Sequence, residues 1–89
     1  MNDKTEEQEK EAKFKELFER ARKGVLKYLD EKGGSLSMEE MHDYSLNKYF
    51  IQHQRFSQMM ETFVDEKLIN YDSVTQVSTI TEEGKEFIK

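Results

Sequence analysis

The chain has 89 residues, 35% apolar and 37% charged, with a formal net charge of −5 and no cysteine. That length gives one domain with little core to spare, and the missing cysteines exclude a disulfide framework and any thiolate metal site. The acidic balance argues against nonspecific nucleic-acid coating, where affinity comes from neutralising phosphates. It leaves room for a local reading surface, because the distribution of charge matters more than its sum. No run approaches the roughly 18–20 apolar residues that cross a bilayer. The first residues lack the apolar stretch of a signal peptide, so no membrane partner and a cytoplasmic setting are expected.

Residues 1–12 carry five acidic side chains against Lys4 and Lys10, with almost no apolar residue. Thr5-Glu6-Glu7-Gln8 has the form of a capping box, and Glu6/Lys10 and Glu9/Lys13 are helix-supporting pairs. The segment reads as a charged N-terminal extension, helical or frayed, ahead of a domain over 13–89. From Phe14 the apolar residues Leu17, Phe18, Ala21, Val25 and Leu29 recur at helical steps. Lys32 with Gly33-Gly34 marks the end of this first helix. Ser35-Leu36-Ser37 suits a minimal strand. Ser37-Met38-Glu39-Glu40 is a second capping box, opening a helix with Met41, Tyr44 and Leu46 facing inward and a break near Asn47-Lys48.

Phe56, Met59, Met60, Phe63 and Val64 define the inward face of a third helix that ends near Asp65-Glu66-Lys67. Leu68–Tyr71 and Val77–Ile80 are β-prone runs joined by a tip over 72–76 that has no glycine. Thr81 caps a last short helix with Glu82 and Glu83 in its first turn, anchored by Phe87 and Ile88. In the run Tyr49-Phe50-Ile51, two residues are expected in the core and one over the turn or against a partner. The methionines 38, 41, 59 and 60 read as core filler.

The stretch Met59-Met60-Glu61-Thr62-Phe63-Val64-Asp65-Glu66-Lys67-Leu68-Ile69, followed by Ile80-Thr81-Glu82-Glu83-Gly84-Lys85-Glu86-Phe87-Ile88, resembles the winged helix-turn-helix superfamily. It is similar to the close of helix 3 and the Ile-Thr-x-x-Gly exit from the wing in MarR- and PadR-like regulators. Gly84 inside a helix costs roughly 1 kcal/mol against Ala, and a close backbone approach would give it a reason. The resemblance covers residues 13–89. It implies an α+β fold with a three-helix core, a β-hairpin wing and a short C-terminal helix. It also implies a transcription regulator that binds double-stranded DNA through helix 3, and a symmetric homodimer built by the outer helices.

The positions implied to meet DNA are Lys48, Gln52, His53, Gln54, Arg55, Ser57 and Gln58. Between Tyr44 and Met60 the chain has two cations, Lys48 and Arg55, and no acidic residue. Gln bonds adenine and Arg bonds guanine through paired contacts, while Ser and His reach phosphates or base edges. The wing departs from the family pattern, since Leu68 to Ile80 holds no Lys or Arg. The alternative function is therefore a protein-interaction module of the same fold, docking a protein partner through the wing or through Tyr49-Phe50-Ile51.

His42, among Glu39, Glu40 and Asp43, has the spacing of no zinc signature. With no phosphate loop and no nucleophile–base arrangement, neither a metal, a cofactor nor a catalytic site is expected, and the chain reads as a non-enzyme.

Overall fold

A computed structural model gives the structure, which describes the backbone from residue 3 to residue 89 and the side chains from residue 12 onward. Four helices and three strands follow the order α1 (Asp3–Glu31), β1 (Ser35–Ser37), α2 (Met38–Tyr49), α3 (His53–Asp65), β2 (Ile69–Asp72), β3 (Val77–Ile80) and α4 (Glu82–Phe87). The three strands form one antiparallel sheet in the order β1-β3-β2. β3 pairs Leu36↔Ser78 on one side and Tyr71↔Ser78 on the other. A lone β2–β3 hairpin is barely stable in water. Here β1 extends it to three strands, and Ile69 and Ile80 bury one face against the helices.

Local chemistry sets most element ends. α1 stops at Glu31, one residue short of Lys32, and the chain leaves through Gly33 (φ 100) and Gly34 (φ 89), a left-handed exit suited to glycine. Ser37 accepts from the Glu40 N–H at 3.1 Å to start α2, with Leu36 buried beside it. Thr81 accepts from the Gly84 N–H at 3.0 Å to start α4. At the hairpin tip the Asp72 carboxylate takes the N–H groups of Val74 and Thr75, and Gln76 (φ 59) makes the left-handed step. The capping box at Thr5 falls on side chains outside the described ones, and α1 already starts at Asp3.

The break after α2 lies later than the expected Asn47-Lys48. α2 runs to Tyr49, and Phe50 turns left-handed (φ 58), its N–H on the Leu46 carbonyl and the Ile51 N–H on that of Ser45. This is a Schellman closure with Phe where glycine is usual. No glycine marks it in the sequence. Ile51 is buried in the core, Tyr49 is half-buried and packs against it, and Phe50 is exposed over the turn.

The core joins Val25, Leu26 and Leu29 of α1 to Met41, Phe56, Met59, Phe63, Leu68 and Ile80. Two residues expected inward are not buried. Leu46 is exposed, and Ser45 takes the inward place with its hydroxyl donating to the Met41 carbonyl at 2.8 Å. Val64 is 46% exposed, because the hairpin does not reach over that side of α3. The apolar stripe of α1 also divides. The apolar residues from Ala21 to Leu29 lie in the core, while Leu17 stays exposed and Phe14 packs at the surface against Phe18 and under Arg55 of α3. At ~1.5 Å per residue α1 spans about 43 Å, close to the 50 Å long axis of the molecule.

Gly84 has the reason anticipated for it. A Cβ there would collide with the Leu68 carbonyl oxygen and the Ile80 side chain. The same carbonyl accepts the Thr81 N–H, and the Thr81 hydroxyl donates to the Lys67 carbonyl at 2.6 Å, so the start of α4 sits directly on the entry to β2. Gly24 plays a similar part on α1, where a Cβ would overlap the Tyr49 hydroxyl.

Candidate nucleic-acid interface

The residues that meet solvent at the leading end of α3 are Gln52, His53, Gln54, Arg55, Ser57 and Gln58, with Phe56 alone turned into the core. The helical period explains the split. Phe56, Met59, Met60 and Phe63 share one face, and the polar residues fall between them. Gln52 stands at the N-cap in extended backbone (φ −79, ψ 167) but makes no side-chain cap bond, and no acidic residue occupies the first turn. α2 and α4 are the opposite case. Ser37 and Thr81 cap them, and the carboxylates of Glu39, Glu40, Glu82 and Glu83 meet their positive ends. The start of α3 is therefore left with free N–H donors and an unneutralised dipole.

Two further observations qualify the electrostatics. Arg55 is held in place, its guanidinium carbon 4.4 Å from the centre of the Phe14 ring of α1 and its Nη1 donating to Gln58 Oε1 at 3.1 Å. Lys48 sits apart from it in the last turn of α2. Towards the C-terminal end of α3, Glu61 and Asp65 are both exposed, and neither has an ion-pair partner within 4 Å among the described residues. Polar but carboxylate-free character is thus confined to the first two turns.

His53 also meets a residue that the sequence left at a distance. Its ring centre lies 5.5 Å from that of His42 on α2, and His42 stands edge-on to Phe56 at 5.0 Å. The Nε2 of His42 is buried without a hydrogen-bond partner, and its Nδ1 is 3.9 Å from Asp43 Oδ1. Among the described residues no three His, Asp or Glu side chains are grouped to hold a metal ion.

Elsewhere, among the described residues, one charged group is largely buried. Arg22 of α1 is 5% exposed and bridges Glu19 Oε1 at 2.8 Å and Glu66 Oε2 at 2.6 Å, with Phe63 and Phe87 beside its guanidinium. Burial alone would lower its pKa, but the hydrogen bonds it donates to Glu66 and Glu19, with the charge of those carboxylates, outweigh that and hold it above the ordinary arginine value. Neither sequence spacing nor periodicity links Arg22 to Glu66, which is 44 residues away. The pair ties α1 to the residue that closes α3 and so fixes how α3 is presented.

No protein-family model, curated protein or solved structure matches this chain. Over the described residues the protein is a small α+β globule of four helices and a three-stranded antiparallel sheet. Among the described residues no helix is long and apolar enough to cross a membrane.

Proposed function

We propose that the chain is a winged-helix DNA-binding regulator that reads the major groove with the first two turns of α3. The observation that carries the reading is the outward display of Gln52, His53, Gln54, Arg55, Ser57 and Gln58 at a helix start with no cap bond and no carboxylate. Such an end receives a phosphate on its free N–H groups while amide and guanidinium side chains reach base edges. The observed order of helices and strands is compatible with the winged-helix resemblance. Gln54, Gln58 and Arg55 take the base-reading role, and Lys48 supplies a phosphate contact. The hairpin has no cation and is assigned none.

Duplex titration at two salt concentrations tests the reading. Binding that weakens with added salt, and that Arg55→Ala and Gln54→Ala both reduce, is the expected outcome. Absence of binding to random and genomic duplex at low salt overturns it. A protein-interaction module of the same fold is the second reading, favoured by one observation: Phe50 and Val74 are 82% and 89% exposed at the α2–α3 turn and the hairpin tip. Loss of partner capture on Phe50→Ser or Val74→Ser, with no duplex binding, distinguishes it.

A further inference from the structure

An apolar groove of about 320 Å³ runs along α3, lined by Phe56 and Met60 of that helix, Met38 of α2 and Tyr71 of β2, with Val64 at its open side. Its volume lies at the small end of organic-ligand sites, about 300–1,000 Å³. It therefore suits one compact molecule better than the row of successive anchors that a docked helix brings. Two thioethers and two aromatic rings adapt to varied apolar shapes, and an aromatic face attracts an ammonium group.

The two ends of the groove differ in charge. His53 and Ser57 line it where α3 begins, and Glu61 and Asp65 line it towards the other end of the helix. Glu61 stands about 12 Å of helix beyond His53. Glu61 and Asp65 are like charges one turn apart, a mutually destabilising placement, and Asp65 also sits at the negative end of the α3 dipole. No basic residue occupies the last turn of α3, and no Lys or Arg lines the groove. Lys67, the nearest cation along the chain, lines a neighbouring hollow instead. Among the described residues neither carboxylate has an ion-pair partner within 4 Å. An occupant that fits both features is apolar along its body and positive at one end.

We infer that this groove binds a small organic cation, an amine with an aromatic or aliphatic body. The apolar part packs between Phe56, Met60 and Tyr71, and the ammonium donates to Glu61 and Asp65. The inference goes beyond DNA binding and does not rest on it. His53 and Ser57 belong to both surfaces, so the test contains no duplex and the two readings fail separately.

The test is a titration of the full chain, followed by amide and methyl NMR shifts, with three probes of one shape: phenylbutylamine, phenylbutanol and phenylbutyrate. The amine is expected to saturate with a Kd on the order of 1 mM, as so small a ligand allows. Its shifts centre on Met60, Val64 and Tyr71. It binds about fivefold or more tighter than the alcohol, and the carboxylate binds weakest. Glu61→Gln/Asp65→Asn brings the amine down to the level of the alcohol, while retained binding of the alcohol shows that the groove is still formed. Shifts that do not saturate at about ten times the expected Kd overturn the inference. So do shifts centred elsewhere, a carboxylate that binds as tightly as the amine, or an amine preference that survives the double substitution.

Discussion

Arg55 of α3 and Phe14 of α1 are stacked, with the guanidinium carbon 4.4 Å from the ring centre. A cation over an aromatic face is worth roughly 0.5–1 kcal/mol where it is exposed, less than a paired hydrogen bond to guanine supplies. The contact therefore positions Arg55 without preventing it from reaching a base. Arg55→Ala is expected to weaken a specific duplex by about 1–3 kcal/mol. Arg55→Lys recovers little of that, because an ammonium lacks the fork that meets two acceptors at once. Equilibrium titrations on one duplex, with matched salt, check both.

Arg22 is the charge whose removal the body tolerates least. Truncation to Ala takes away the packing on Phe63 and Phe87 together with both ion pairs. It is expected to cost about 2–4 kcal/mol, a large share of what so small a domain holds. Glu66→Gln keeps the shape and leaves Glu19 paired, so its cost is smaller, about 1 kcal/mol. Urea midpoints at constant slope rank the two.

At Gly84 two effects compete. Alanine gains roughly 1 kcal/mol in helix propensity, but its methyl group has to enter space held by the Leu68 carbonyl and Ile80. Backbone cannot yield as a flexible side chain does, so the collision wins. Gly84→Ala is expected to destabilise the fold by about 1–3 kcal/mol. At roughly 4–8 °C per kcal/mol for a domain of this size, thermal melting resolves the drop.

Alkaline pH reports on Tyr44, whose ring stacks on Tyr28 with centres 3.8 Å apart and meets Tyr49 edge-on. Burial, followed by the neighbouring Tyr49 hydroxyl, raises its pKa above the ordinary tyrosine value. The folded state thus holds the phenolic proton more tightly than the unfolded state does. Its contribution to stability is complete below about pH 10, the unfolded value, and is lost as pH climbs through the folded one. Ultraviolet titration is expected to show a late phenolate step that Tyr44→Phe removes.

The sequence by itself determined what depends on neighbours along the chain. The caps at Ser37 and Thr81, the glycine exit after α1, the buried faces of α2 and α3 at Met41 and Phe56–Phe63, and the two hairpin strands each follow from residues within a turn or two. The polar, carboxylate-free run from Gln52 to Gln58 was equally plain, and its exposure follows from helical period. Tertiary structure alone decided the rest. The hairpin leaves one side of α3 uncovered, so Val64 borders a groove where spacing put it in the core. Arg22 meets Glu66, His42 meets His53 and Arg55 meets Phe14 only because the helices cross there. The physical reason is range: a cap or a helical face is settled within one turn, whereas these contacts depend on how far apart helices α1, α2 and α3 are held by the shared core.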